Sequence, residues 1–386
     1  MTTKKALFLA AISVFLITAA SARAATSEDH RYFIQSTSQF LKKSFSVRSI
    51  VDGGFTADAS DWQLKIAKLF GVSAEPVKRL NILADDESAS PKSDTPSAPI
   101  SWGTDFVYGG LGKALPHGGE GVSVAILDTG ADVAHPDLKN RIVECADFTG
   151  SKPFADKSCF DDNGHGTHVA GIIAADGGDD GSGIYGVAPE ANLFIYKVCD
   201  AAGACFADDV ASAIQYAADQ KANIILISVG SDSDIPMVDQ AIKYAIDRGV
   251  LVIAAAGNDG PYADDLDFPA MNEHVVSVGA LNKDTAIPDW SSRGNNSDSK
   301  EYIKEGGDIE FAAPGVSIES TWKDDNYAVL SGTSMAAAHV AGLAAKEWQA
   351  DAKDPAGQTR DLLHTFSLDL SPAGDDNASG WGAPAL

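Results

Sequence analysis

Five near-continuous apolar runs constrain this chain more than any other feature: 122–127 (Val-Ser-Val-Ala-Ile-Leu), 193–198, 224–229, 250–255 and 275–278. Strands buried on both faces read this way, because neither face can be polar. Segments with helical spacing lie between them, at 165–175, 208–220 and 237–248. Strands alternating with helices predict an α/β fold with a doubly wound, mostly parallel sheet flanked by helices. Ligands of such sheets bind beyond the carboxyl ends of the strands. With 45% hydrophobic and 22% charged residues, the chain has the composition of a folded protein.

The first hundred residues differ in character. Lys4 and Lys5 precede an apolar run at 6–20, and Ala22-Arg23-Ala24 follows as a small-residue cleavage site. This predicts a signal peptide over 1–24 and a secreted protein, extracellular or periplasmic. The run is shorter than the ~20 residues of a membrane span. Residues 25–92 are expected to form a small α+β domain. It would have a first strand at 31–35, a helix at 62–70 that stops at Gly71, and a last strand at 77–83. An Asp-, Ser- and Pro-rich linker follows at 84–99. The main domain is expected to span 93–386.

Charge and cysteines bound the partners. The formal net charge of −25 disfavours nucleic acid and anionic membranes as partners. Four cysteines in an exported chain suggest two disulfides, with three connectivities open. Cys199 and Cys205 flank a short loop, and Cys145 and Cys159 flank a polar stretch. Those two pairings are expected.

Three residues could carry chemistry. Asp128 follows directly on the first buried run, at a strand's carboxyl end. His165 sits between glycines at a helix start, in Asp161-Asp-Asn-Gly-His-Gly-Thr-His168. His165 and His168 lack the i, i+4 spacing and intervening Glu of the H-E-x-x-H zinc site, so His168 reads as structural. Ser334 follows a small-residue turn at another helix start, where free N–H groups favour negative charge. Each alone is a weak signal, since strand-end Asp and helix-start Ser residues commonly cap. Their order, Asp then His then Ser, is that of subtilisin. The segment Gly109-Gly-Leu-Gly112 follows no buried strand and opens no helix, which argues against a nucleotide-binding loop.

The chain resembles the subtilisin-like serine proteases. Ile126-Leu-Asp-Thr-Gly130, Asn163-Gly-His-Gly-Thr-His-Val-Ala-Gly171 and Ser331-Gly-Thr-Ser-Met-Ala336 are similar to the three active-site signatures of that family. His135-Pro-Asp-Leu138, Gly186-Val-Ala-Pro189, Phe268-Pro269 and Trp102-Gly103 also have counterparts. The resemblance covers roughly 97–386 closely. Over 25–92 it matches an inhibitory propeptide more loosely.

The resemblance implies a serine endopeptidase that acts on proteins and peptides through Asp128, His165 and Ser334, with Asn258 as an oxyanion donor. It implies that Ser228, Val229 and Gly230, with Ala255, Ala256 and Gly257, bind the substrate backbone. It places Asp267 at the floor of the pocket for the residue before the scissile bond (P1), which would favour Lys or Arg there. The propeptide would act as an intramolecular inhibitor, cut after Lys92, and the enzyme would be a monomer. A structural Ca²⁺ is implied, with Asp137 and the acidic loop residues Asp176, Asp179 and Asp180 as ligands. One departure stands out. Where the family usually has Ala-Pro-His or Thr-Pro-His, this chain has Ala337-Ala338-His339. That departure keeps a catalytically silent binding protein on the same fold as the alternative.

Overall fold

The computed structural model describes residues 30–51, 53–84, 93–112, 114–150, 155–156, 158–262, 264–296, 306–370 and 372–386. The signal-peptide run and Lys92 lie outside them. The chain divides into two units, one ending at Lys78 and one starting at Arg79.

The first unit is a four-stranded antiparallel sheet with two helices. Its strands are β1 (Arg31–Ile34), β2 (Ser46–Val51), β3 (Gly54–Asp58) and β4 (Ala74–Pro76), in the order β2-β3-β1-β4. Its helices are α1 (Gln39–Ser44) and α2 (Asp61–Leu69). Ser60 and Gln63 cap α2 reciprocally, as a Ser-x-x-Gln box does. Ile34, Leu41, Phe45, Phe55 and Ala67 form the core. The expected strand at 77–83 splits. Val77 still pairs with this sheet through its N–H to Arg31 O, whereas the residues after Lys78 pair within the second unit.

In chain order, the second unit holds β5 (Arg79–Ile82), α3 (Trp102–Val107), β6 (Ser123–Asp128), β7 (Ile142–Asp147), β8 (Ala155–Asp156) and α4 (His165–Ala174). It continues with β9 (Asn192–Lys197), β10 (Ala204–Phe206), α5 (Ala207–Asp219), β11 (Ile224–Ile227), β12 (Val229–Gly230), α6 (Pro236–Ile246) and β13 (Leu251–Ala255). It ends with β14 (Val276–Leu281), β15 (Phe311–Pro314), β16 (Ile318–Trp322), β17 (Asn326–Leu330), α7 (Thr333–Lys346), α8 (Pro355–Phe366) and a short β18–β19 pair (Ser367–Leu368, Ala383–Pro384).

The main sheet has the order β15-β14-β13-β11-β6-β9-β7-β8, parallel throughout except for β8. The five apolar runs are β6, β9, β11, β13 and β14, and their residues are almost wholly buried. Strand order reverses about β6, with β11 on one side and β9 on the other. In such sheets a crevice opens at that switch point, and Asp128 is the last residue of β6. The helices α4 and α7 pack close by, and α7 is buried on nearly every face. Ala338 is fully buried within it, and α7 runs unbroken through the position where the family usually has Pro.

Candidate active site

Asp128, His165 and Ser334 stand on three elements: the end of β6, the first turn of α4 and the first turn of α7. Asp128 Oδ1 accepts from His165 Nδ1 at 2.7 Å, and Oδ2 lies at 2.9 Å. Both side chains are buried. A buried carboxylate on Nδ1 fixes the tautomer, so that Nε2 can act as a base. Ser334 Oγ donates to Ser228 O at 3.1 Å.

A second buried acid holds this geometry. Asp161 accepts from Thr129 Oγ1 (2.9 Å), Asn163 N (3.1 Å), Gly164 N (2.7 Å), Thr167 N (2.9 Å) and Thr167 Oγ1 (2.6 Å). Thr129 Oγ1 in turn accepts from Gly166 N at 3.0 Å. The β6 turn and the start of α4 are thereby tied through one carboxylate. Gly164 precedes His165 at φ 120°, a region that L side chains rarely adopt, and a Cβ there would strike Trp322. His168 Nε2 lies at 3.0 and 3.1 Å from Ile318 O and Ala328 O, joining α4 to the β16–β17 hairpin. Burial, with His165 nearby, pushes its pKa down to about 3, so it is a neutral structural residue.

Asn258 sits beside Ser334 with a fixed orientation. Its Oδ1 accepts from Thr333 N at 3.1 Å and Thr333 Oγ1 at 3.0 Å. A backbone N–H must meet the oxygen, so the amide Nδ2 is left as the donor toward the crevice.

Of the residues expected to bind substrate, Gly230 and Asp267 line one pocket. Residues 229–230 form β12, an edge that pairs antiparallel with β5. The Asp267 carboxylate lies against Gly230 and Gly257, since a Cβ at either would fall within about 3 Å of it. It lines one pocket with Gly230, Ser231, Asp232, Asn258, Asp259 and Leu83. Carboxylate oxygens of Asp232, Asp259 and Asp267 lie within 4.8 Å of one another. Burial, then Asp259, Asp232 and Asp265, push the Asp267 pKa up to about 7. Asp232 and Asp259 escape sequence reasoning, although each lies beside a recognised motif.

The expected calcium ligands do not converge. Among the described residues, Asp232, Asp259 and Asp267 are the only three acids or metal-binding side chains so close together. Asp179 is taken by Lys139 (2.6 Å) and Asn140, and Asp180 by Ser182. Asp176 binds its own loop at Gly178 N and faces Arg141. Asp137 is buried. Its Oδ2 accepts from Ile184 N and Tyr327 Oη, and its Oδ1 faces the glycine loop at Gly178 and Gly183. The two expected disulfides, Cys145–Cys159 and Cys199–Cys205, are both formed.

Comparison with known proteins gives a consistent set of relatives. The model of the subtilase family matches residues 119–382. "Subtilisin" of Bacillus sp. (strain TA39) is 39% identical over 352 residues, spanning 85% of this chain and 83% of the relative. "Major intracellular serine protease" of Bacillus subtilis (strain 168) is 42% identical over 231 residues, 59% of this chain and 68% of the relative. The solved structure "Sphericase" is 41% identical with a TM-score of 0.72, covering 75% of this chain and 99% of that one.

Proposed function

This chain belongs to the subtilase family and is a serine endopeptidase, and from that premise we propose that Asp128, His165 and Ser334 are its catalytic triad. The observation that carries this reading is the buried Asp128–His165 pair at 2.7 Å, on a helix start that packs against the helix opening with Thr333-Ser334. His165 takes the proton of Ser334 as its Oγ adds to the scissile carbonyl. Asp128 stabilises the imidazolium. The Asn258 amide and the Ser334 N–H hold the tetrahedral oxyanion. His165 then returns the proton to the leaving amine, and water hydrolyses the acyl-enzyme.

Residues 25–92 are read as the inhibitory propeptide, with a mature peptidase beginning at Ser93. The chain is read as a secreted monomer that takes protein and peptide substrates. No helix among the described residues is long and apolar enough to cross a membrane. Calcium is kept as a structural ion with Asp137 as its ligand. Bound there, it would tie the loop at 176–183 to the 135–138 turn. No specific observation favours the catalytically silent alternative, since α7 accommodates Ala338 without a break.

Substrate choice follows from the pocket floor. Three carboxylates within 4.8 Å attract a cation. P1 Lys or Arg is therefore the expected preference. Asp267→Asn is expected to lower kcat/KM for Arg-P1 peptides by about 10-fold or more, and to leave Leu-P1 peptides nearly unchanged. The wild-type Arg/Leu ratio should rise as pH passes through about 7, where Asp267 becomes charged. The sign for stability is opposite. A carboxyl whose folded pKa is raised stabilises below its unfolded pKa and loses that contribution as pH rises through the folded value. The Asp267→Asn protein should therefore resist urea better than the wild type at pH 8. Peptide-library cleavage mapped by mass spectrometry, with urea melts at pH 5 and 8, checks both. A library left uncut by the mature protein would overturn the endopeptidase mechanism.

The Cys199–Cys205 loop has a positioning role in this reading. Asp200 Oδ1 accepts from Ala202 N and Ala204 N, and Ala201 O accepts from Asn163 Nδ2. The loop leads directly into β10, one edge of the groove for the substrate backbone. Replacing both cysteines by Ala is expected to raise KM several-fold for peptides that reach four residues before the cut. Dipeptide substrates should be unaffected, as should kcat. Steady-state kinetics against peptide length separates this from general loss of structure, which would lower apparent kcat for long and short substrates alike.

A further inference from the structure

Residues 79–84 lie in the peptidase unit, along its crevice. β5 pairs antiparallel with β10 on one side, through Phe206↔Arg79, Cys205↔Leu80 and Ala204↔Asn81. It pairs antiparallel with β12 on the other, through Val229↔Ile82 and Gly230↔Asn81. Pairing on both sides fixes the register, because a slip of one residue would turn every side chain to the opposite face. Leu80 is fully buried and its neighbours Arg79 and Asn81 are exposed, so the faces are unequal.

That register delivers one peptide bond to the serine. Leu83 N donates to Ser228 O at 3.2 Å, and Leu83 O accepts from Ser334 N at 3.4 Å. Gly332 marks the closeness of approach, since a Cβ there would lie 2.4 Å from Leu83 O. The Leu83 side chain is buried in the main core and shares a pocket with Asn258 and Asp267.

We propose that Leu83–Ala84 is the bond this protein cuts first in its own chain, and that the cut expected at Lys92–Ser93 comes later. This inference rests on the endopeptidase reading. Ser334 Oγ adds to the Leu83 carbonyl carbon as its proton passes to His165. The bond to the Ala84 nitrogen breaks and His165 returns the proton to that nitrogen. Water then hydrolyses the Leu83 ester, leaving a free carboxylate on Leu83 and a free amine on Ala84. Ser93 is held elsewhere, because it exchanges two backbone hydrogen bonds with Tyr327, at 3.1 and 2.8 Å. Cutting Lys92–Ser93 within the same chain would require that pair to open and β5 to withdraw by nine residues. A leucine can serve at P1 in this first step because folding delivers the bond, so proximity replaces side-chain selection. A second molecule can then trim after Lys92, where P1 is basic.

The test is to fold the full chain and follow it by intact mass, sequencing both new termini at the earliest time point. The expected products are a released fragment ending at Leu83 and a partner beginning at Ala84, with Ser334→Ala remaining uncut. Ala84→Pro should slow that first cut by at least 100-fold. A first fragment that ends at Lys92 or elsewhere, still dependent on Ser334, overturns this proposal and leaves the endopeptidase reading standing. A folded wild type that neither cuts itself nor hydrolyses added peptides overturns both.

Discussion

Ser334→Ala is expected to leave the precursor uncut and to lower kcat on peptides by about 10⁶-fold, a magnitude known for subtilisin rather than drawn from this geometry. The hydroxyl oxygen is the atom that would form the covalent bond. Structure should survive the change. Ser334 Oγ makes one hydrogen bond, to Ser228 O, worth ~1 kcal/mol. Alanine also suits the helix better than serine. The variant should therefore fold, melt close to the wild type and accumulate as full-length chain. Residual hydrolysis should persist, because Asn258 and the bound strand geometry remain. Intact mass and a chromogenic peptide assay measure the two effects, and a melting curve guards against misfolding. A Ser334→Ala protein that still matures would assign the cut to another protease or another residue.

Asn258→Leu is the second large effect. Loss of a side-chain oxyanion donor costs about 10²–10³ in kcat, again a value known for subtilisin. The reason lies in what holds the residue. Thr333 N and Thr333 Oγ1 both donate to Asn258 Oδ1, which leaves Nδ2 as the donor toward the crevice. Leucine has a similar shape and no donor. KM should change little, because the bond forms mainly to the tetrahedral oxygen and not to the ground-state carbonyl. Thr333→Val should give a smaller loss by the same route, since it removes one of the two bonds that orient the amide. Steady-state kinetics of the two variants tests the order. Equal losses in both, with raised KM, would mean a disturbed α7 start instead.

Much of this was legible in residues that obey local rules. β6, β9, β11, β13 and β14 are buried on both faces, so their composition announces them. Asp128, His165 and Ser334 each sit at a strand end or helix start, where sequence punctuation is strongest. The expected strand at 77–83 could not be resolved, because Val77 and Leu80 are equally apolar and only tertiary pairing assigns them to different sheets. Asp161 was invisible as a positioning residue because all its partners except its own turn come from folding. The acidic loop at 176–183 shows the limit from the other side. Its composition suits calcium, yet Asp179 and Asp180 are claimed by Lys139 and Ser182. Asp232 and Asp259 join Asp267 only because two loops meet at the pocket floor.

The most direct measurement of the central claim is labelling of the mature protein with a fluorophosphonate, followed by peptide mapping. Such a reagent forms a stable ester only with a serine that an adjacent base activates. The account predicts one equivalent of adduct on Ser334, complete loss of peptidase activity, and no adduct in His165→Ala. Full inactivation with the adduct on another residue, or an active protein with Ser334 unlabelled, would contradict it.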